Sequence, residues 1–339
     1  MTMLNEYDVL PEGLLDKEAT GLHEVLPGPS IIHLKGRHEP PLFVSVLLHG
    51  NEDTGWCAIR QLLCDYATKE LPRCLSLFIG NIEAARYGQR YLGHQPDYNR
   101  IWRVHKGDTV TPEHKMMQQV TDIMKQRGVF ASLDVHNNTG TNPHYACVNK
   151  LDDPFLHLAR LFSRSVVYFT KPDNVQSRAF SALCPAVTAE CGQPGQPHGM
   201  QHAVEFLGAA LRLSEHPAHP VTHGDIDLFH TVAIAKVPDA ISFEFKAGDS
   251  DIQFIDNLDY LNFRELPEQT LLGWVRSREV IRLDVRDEQG RDVYQRFFNI
   301  SNGELRTAAP MMPSMLTVNA RAIRQDCLCY IMERMSLSS

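Results

Sequence analysis

The chain has 339 residues, and its hydrophobic content of 43% suits a globular protein with a buried core rather than a disordered chain. Acidic and basic residues are mixed along the sequence and sum to a net charge of -8, which gives no basic patch for nucleic acid or anionic lipid. We therefore expect small-molecule or peptide chemistry without a nucleic-acid or membrane partner. Whether the chain forms a homo-oligomer stays open.

The sequence also favours a soluble, cytoplasmic protein. Residues 1–8 lack the basic-then-apolar pattern of a secretory signal, and no apolar run approaches the roughly 20 residues of a membrane span. The eight cysteines are scattered without a Cys-x-x-Cys pair, so we expect reduced and mostly buried thiols. Cys327 and Cys329 are more typical of a core strand than of metal ligands.

Apolar runs and helical spacings alternate after a polar leading arm at residues 1–30. The apolar runs alternating with helices favour an α/β sheet that is covered on both faces. Gly128 marks a helix end, and Asp53 or Thr54 is the expected cap of the first helix. The predicted strands cover residues 30–34, 42–48, 75–80, 129–135, 166–170 and 186–189, and the predicted helices cover 54–66, 112–127 and 200–213.

The pattern changes near residue 215, where Pro- and His-rich residues 215–220 form a plausible linker. Short β-rich segments then alternate with turns. We predict a catalytic α/β domain at residues 1–218 and a smaller β-rich domain at residues 219–339. The predicted strands of this second domain cover residues 228–237, 241–245, 270–275 and 279–285.

A candidate metal site lies at the carboxyl ends of the predicted strands, where α/β sheets gather their ligands. His49 and Glu52 follow the strand at 42–48, and His136 follows the strand at 129–135. Zinc in a hydrolytic site takes three ligands of this type and keeps a fourth position for water. The other His-x-x-Glu pair, His202 and Glu205, lies inside a predicted helix and is a helix-surface pair.

Two carboxylates on neighbouring strands could assist this site. Asp134 precedes His136 by two residues, so it shares a face with that ligand and could support a neighbouring group. Glu190 ends the strand at 186–189 and is the candidate general base. A mechanism with metal-bound water needs no nucleophilic Cys191.

Between the first two ligand motifs, residues 81–103 are rich in arginine. Guanidinium groups bind carboxylates in pairs of hydrogen bonds and stabilise oxyanions without losing their charge. This stretch therefore favours an anionic substrate, although Arg86 and Arg103 are equally well explained as solvated loop residues.

Five ordered motifs resemble those of the succinylglutamate desuccinylase/aspartoacylase family in the zinc carboxypeptidase clan. The resemblance runs through residues 42–200 and implies a mixed, mostly parallel sheet of the zinc carboxypeptidase type, followed by a smaller β-rich domain. The motifs are His49-Gly-Asn-Glu52-Asp-Thr-Gly, Asn81 followed by Arg90-Tyr91, Asp97-x-Asn99-Arg100, Asp134-x-His136-Asn137 and Glu190-x-Gly192.

The resemblance implies one zinc ion on His49, Glu52 and His136. It also implies that Glu190 acts as general base and acid while metal-bound water attacks the carbonyl. Arg90 matches the arginine that polarises the scissile carbonyl.

The remaining matches concern the substrate. Asn99 and Arg100 match the pair that holds a substrate carboxylate, and Arg178 resembles a further substrate-binding arginine at a longer spacing. Tyr98 departs from the usual leucine of the family, and the residues that follow Glu190 match only in part. These departures leave the acyl group and the amino acid undetermined.

The expected function is a zinc-dependent hydrolase that cleaves the amide bond of an N-acyl amino acid or a similar small amide bearing a carboxylate. A metallocarboxypeptidase acting on peptides is the nearest alternative, because the clan shares its ligands and its base. A non-enzymatic zinc- or ligand-binding protein that keeps the scaffold is an alternative from another class.

Overall fold

A computed structural model describes residues 3–222, 224–245, 248–276 and 281–337. The chain divides into two compact units: residues up to Asn137 together with His144–Asp227, and Asn138–Pro143 together with the residues from Leu228 onwards. The domain boundary after residue 218 stays a prediction. Across the described ranges, no helix combines the length and apolar character needed to cross a membrane.

The first unit contains an eight-stranded sheet in the order β1-β2-β4-β3-β5-β8-β6-β7. Two neighbouring pairs, β2–β4 and β6–β8, are antiparallel, and the others are parallel. This confirms the predicted mixed, mostly parallel sheet. The strands are β1 (Asn5–Tyr7), β2 (Ser30–Leu34), β3 (Gly36–Val46), β4 (Leu71–Ile79), β5 (Ala131–His136), β6 (Tyr145–Val148), β7 (Ser165–Tyr168) and β8 (Ala186–Glu190). The helices are α1 (Thr54–Asp65), α2 (Ile82–Arg86), α3 (Pro112–Arg127), α4 (Asp153–Phe162), α5 (Gln176–Phe180) and α6 (Pro197–Arg212).

Helices pack on both faces of this sheet. Successive side chains of β3 and β5 point to opposite faces, so each strand can contact helices on both sides. Val46 and Val135 face α1 so closely that a Cβ atom on Gly55 would lie 3.0 Å from each of them. Phe43 points to the opposite face and stacks on Phe180 of α5, with ring centroids 4.4 Å apart. The central strands are therefore buried from both sides, as their continuous apolar sequence predicts.

Local sequence signals set several boundaries. The strand at 30–34 and the helix at 112–127 have the predicted ends. Gly128 ends α3 with φ 68°, a left-handed conformation that favours glycine. Asp53 precedes α1 but makes no capping bond, because its own backbone is helical; the Thr54 N–H instead donates to Asn137 Oδ1 at 3.2 Å.

The second unit is β-rich, as predicted. Four of its strands pair in the order β13-β9-β17-β16, and a separate sheet has the order β10-β11-β12-β15-β14. Phe254, Phe297 and Phe298 are fully buried in its core. The predicted strand at 279–285 overlaps β13, although residues 279 and 280 lie outside the described residues. The elements are β9 (Asp227–Lys236), β10 (Phe243–Glu244), β11 (Ile252–Phe254), β12 (Leu271–Val275), β13 (Asp284–Asp287), β14 (Phe298–Ser301), β15 (Glu304–Thr307), β16 (Met312–Ser314), β17 (Cys329–Arg334), α7 (Tyr294–Phe297) and α8 (Ala320–Gln325).

Candidate metal centre and active site

The turn between β3 and α1 carries two of the predicted ligands, His49 and Glu52. Gly50 lies between them and contacts the segment after β4 so closely that a Cβ atom would be 2.2 Å from Ala85 N. The Gly50 N–H donates to Arg90 O at 3.1 Å, which ties the turn to the arginine-rich loop. Only glycine fits this position without a shift of backbone, and this accounts for the glycine in the His-Gly-Asn-Glu motif.

The structure brings His49, Glu52 and His136 into one buried cluster. Their side chains offer ligand atoms that all lie within 4.8 Å of one another, and the residues are only 3%, 5% and 4% exposed. The two histidines turn Nδ1 toward the same carboxylate: His49 Nδ1 is 2.8 Å from Glu52 Oε1, and His136 Nδ1 is 2.7 Å from Glu52 Oε2. This convergence of donors from two strand ends is what the sequence predicted.

Each of these two histidines also contacts a second carboxylate, through Nε2 on the other side of its ring. His49 Nε2 lies 2.9 Å from Asp97 Oδ1, and His136 Nε2 lies 2.8 Å from Asp134 Oδ2. Ser45 donates to the other Asp134 oxygen at 2.7 Å. A carboxylate on Nε2 keeps the proton there, so Nδ1 presents its lone pair to a metal ion.

The cluster carries negative charge in a buried place. Burial alone raises the pKa of Glu52, but His49 and His136 outweigh it and hold that pKa far below its usual range. Burial likewise raises the pKa of Asp97, while Arg90 and then His49 bring it well below normal. Both carboxylates are therefore ionised at neutral pH, which favours a cation between the histidines.

The pKa of His136 is shifted upward, in contrast to the lowered pKa values of the two carboxyl groups. Burial lowers its pKa, yet Asp134 and then Glu52 raise it well above the usual value. A metal ion would take the place of the proton that these carboxylates attract. Two imidazoles and one carboxylate fit a divalent transition metal better than calcium or magnesium, which prefer oxygen ligands.

Glu190 ends β8 directly beside His136. The two residues are partners in the parallel β5–β8 ladder, so their side chains leave the same face of the sheet. Glu190 is 6% exposed. The Cys191 N–H donates to His136 O at 2.9 Å, which fixes the spacing between the two strand ends.

Cys191 itself is unsuited to nucleophilic attack. Burial raises the pKa of its thiol well above the usual value, and Glu190 and Glu52 raise it further. The fully buried side chain therefore stays a neutral thiol. None of the eight cysteines, which all lie in the described part of the chain, is in a disulfide, and Cys327 and Cys329 are buried core residues as expected.

Arg90 borders the cluster through Asp97. Its Nε and Nη2 atoms lie 3.0 and 2.9 Å from Asp97 Oδ2, and its Nη1 lies 3.7 Å from Glu52 Oε1. Asp97 thus fixes both a ligand histidine and this guanidinium. Tyr98, the departure from the family's leucine, is 2% exposed and fills the core with its ring.

The predicted substrate-binding residues lie at different positions. Asn99 reaches the cluster, with Nδ2 3.3 Å from His136 Nε2, and its Oδ1 accepts the Gln176 N–H at 3.0 Å. Arg100 donates from Nη1 to the backbone oxygen of Asn99 at 3.0 Å. Arg178 follows on α5 and donates to Asn149 O at 3.1 Å, at the end of β6.

Two contact residues received no role from the sequence. Asp97 stood in a recognised motif, and its place between arginines was the signal that could have suggested an ion pair. Gln176 is fully buried and links Asn99 to Ser132, whose Oγ accepts from Gln176 Nε2 at 2.7 Å. No pattern around Gln176 predicts this contact, because it depends on how α5 packs on the sheet.

Several solved structures share the fold of this chain. Solved structures with a similar fold include succinylglutamate desuccinylase from Chromobacterium violaceum, with 18% identity, TM-score 0.55 and coverage of 90% of this chain and 87% of that one. Murine aminoacylase 3 has 16% identity, TM-score 0.56 and coverage of 88% and 97%. The product-bound ectoine utilization protein of Ruegeria pomeroyi has 15% identity, TM-score 0.57 and coverage of 90% and 88%.

A comparison with curated protein sequences gave no match. The family model of the succinylglutamate desuccinylase/aspartoacylase catalytic domain, however, matches residues 39–216, which is more than half of the chain. That stretch contains the buried cluster, Glu190 and the arginine-rich loop. The chain therefore belongs to the succinylglutamate desuccinylase/aspartoacylase family.

Proposed function

We propose that the protein is a zinc-dependent hydrolase that cleaves the amide bond of an N-acyl amino acid or a similar small amide bearing a carboxylate. The observation that carries this proposal is the buried convergence of His49, Glu52 and His136, with a second carboxylate behind each histidine. Membership of a deacylase family supports the same reaction class. The donor set is the one that open, catalytic zinc sites use.

Zinc held by these three residues would supply Lewis-acid chemistry, acidifying water and polarising the carbonyl. Glu190, on the same sheet face as His136, accepts the proton of the attacking water and then donates it to the departing nitrogen. Arg90 places a positive charge beside the cluster and stabilises the oxyanion that develops in the transition state.

The substrate class follows from the groups around the cluster. Asn99 lies against His136, and Arg100 binds the Asn99 backbone, so both residues stand where a substrate carboxylate could be held. Arg178 is a further candidate on α5. The names of three structural relatives, succinylglutamate desuccinylase, aminoacylase 3 and an ectoine utilization protein, support a small acylated amino acid or a related amide.

A substrate panel tests the proposal directly. The zinc-loaded protein is assayed with N-succinyl and N-acetyl amino acids, with matched amides that lack the carboxylate, and with short peptides. We expect hydrolysis of the N-acyl amino acids and much slower hydrolysis of amides without the carboxylate. Cleavage of peptides alone would establish the carboxypeptidase alternative instead. Zinc binding without hydrolysis of any amide in the panel would support a non-enzymatic binding protein. The cytoplasmic location stays a prediction.

A further inference from the structure

Asn137 is a buried residue that directly follows the ligand His136 at the end of β5. Its backbone N–H donates to Glu52 Oε2 at 3.1 Å. Its side-chain amide contacts two other segments of the chain: Oδ1 accepts the Thr54 N–H at 3.2 Å, and Nδ2 donates to Gly192 O at 2.9 Å. Asn137 therefore contacts the turn that follows β3 and the turn that follows β8.

The two partners of the side chain lie at matching positions in their turns. Thr54 is two residues after the ligand Glu52, and Gly192 is two residues after the candidate base Glu190. The Asn137 amide thus links a turn that carries a metal ligand to the turn that carries the base.

This link lies just beyond the paired part of the central strands. The ladder between β3 and β5 ends at Ser45 and Asp134, and the ladder between β5 and β8 ends at His136 and Glu190. The side chain of Asn137 adds a connection where these ladders stop. Movement of one turn relative to the other would break at least one of its hydrogen bonds.

The chemistry of the two partners requires an amide at position 137. The Thr54 N–H lies at the start of α1, where N–H groups have no acceptor within the helix, and Gly192 presents a carbonyl. Asparagine supplies one acceptor and one donor, so a single orientation of its amide satisfies both partners. A carboxylate would set an acceptor against Gly192 O, and leucine would leave both buried backbone groups without this partner.

We propose that Asn137 is a positioning residue for the hydrolysis, because its side-chain amide fixes the distance between the turn of Glu52 and the turn of Glu190. This role rests on the proposed function, in which the metal ligands and the base serve the same attacking water. A displacement of about 1 Å between groups that act together lowers a rate by up to about 100-fold. Asn137 acts through the two turns and needs no contact with the substrate.

Two substitutions of the full-length, zinc-loaded protein separate the two hydrogen bonds of the side chain. Asn137→Leu removes both bonds with little change in volume. Asn137→Asp keeps the acceptor for the Thr54 N–H and loses the donor to Gly192 O. The backbone N–H that donates to Glu52 stays in both variants, so zinc should remain bound.

Asn262→Leu is the matched control. Asn262 is buried in the second unit, and its amide also joins backbone groups, those of Asp259 and Leu316, at 2.8 to 2.9 Å. This variant should lose thermal stability, as Asn137→Leu does, but its kcat and KM should equal those of the wild type.

We expect kcat on an N-acyl amino acid to fall by roughly 10- to 100-fold in Asn137→Leu and in Asn137→Asp. KM should stay within about threefold of the wild-type value, with one zinc equivalent retained. A purely structural role would lower stability without separating kcat from KM in this way. The proposal is overturned if both zinc-loaded variants turn over at the wild-type rate, or if their loss of activity only follows a loss of zinc.

Amide hydrogen exchange provides a measurement that does not depend on activity. The Thr54 N–H should exchange about tenfold faster in Asn137→Leu but not in Asn137→Asp, whereas the Cys191 N–H, next to Gly192, should exchange faster in both. Neither amide should change in Asn262→Leu. If the wild type hydrolyses no amide in the panel, the proposed function fails, and this pattern still decides whether Asn137 joins the two turns. Wild-type exchange at both amides in Asn137→Leu overturns that link.

Discussion

Asp97→Asn is the substitution that tests the architecture of the candidate metal centre most sharply. Asp97 accepts hydrogen bonds from His49 Nε2, from the Asn99 N–H and from two atoms of Arg90, at 2.8 to 3.0 Å. Asparagine keeps one acceptor oxygen and replaces the other with an NH₂ group. In either orientation of the amide, its NH₂ group faces another hydrogen-bond donor, either His49 Nε2 or the Arg90 guanidinium.

The expected loss of stability in Asp97→Asn is large because the ion pair between Arg90 and Asp97 is well shielded from solvent. The side chains of Arg90 and Asp97 are 15% and 12% exposed, so little screening reduces their attraction. Removing one partner of such a pair costs about 3 kcal/mol of unfolding free energy, measured by urea denaturation. Loss of the carboxylate behind His49 should also weaken zinc binding by roughly 10- to 100-fold, measured by competition with a chelating indicator.

Asp259→Asn is the matched control, since Asp259 is also buried and accepts a hydrogen bond from Thr141 in the second unit. It should lower stability without a comparable loss of zinc affinity. If folded Asp97→Asn binds zinc as tightly as the wild type, the carboxylate does not orient His49.

Three further predictions concern the base, the substrate and pH. Glu190→Gln should retain zinc while the rate of hydrolysis falls by roughly 10²- to 10⁴-fold, because the variant lacks the general base. The control variant Glu205→Gln, at an exposed position, should stay fully active. Normal turnover in Glu190→Gln would contradict the role of Glu190 as the base. Arg100→Lys should raise KM about tenfold with a smaller change in kcat, because an ammonium lacks the guanidinium fork, and a fall in kcat alone would exclude a binding role. Burial and then Arg127 lower the pKa of His33, so its contribution to stability should be complete above about pH 6.5 and be lost as pH falls through the lowered folded pKa. Urea unfolding between pH 7 and more acidic values should show this slope flattened in His33→Asn, and an unchanged slope would refute it.

The parts of the fold that the sequence predicted are those with local signals. Helix α3 has proline at its start and Gly128 at its end, so both boundaries can be read within a few residues. The predictions missed the ten-residue helix α4, and they also missed β6 and α5, which have only four and five residues. Such short elements depend on their neighbours: β6 exists because β8 and β7 pair with its two edges.

The residues of the candidate site also fall into those that the sequence predicted and those that it did not. His49, Glu52, His136 and Glu190 could be identified because each lies at or just after the end of an apolar run, and parallel strands bring such ends to one edge. The groups that orient them come from further away. Asp97 contacts His49 across 48 positions of sequence, through a loop whose path depends on the folded sheet.

The loop from Asp97 to Arg100 combines two roles, the positioning of the ligand histidines and the proposed binding of the substrate carboxylate. Asp97 holds His49 and Arg90, while Asn99, two residues later, contacts His136. Four consecutive residues therefore touch both ligand histidines and carry the candidate carboxylate-binding groups. A substitution at Asn99 should change zinc affinity as well as KM, because its amide cannot move without disturbing His136. An altered KM in this loop is evidence of substrate contact only when zinc content, measured in the same preparation, equals that of the wild type.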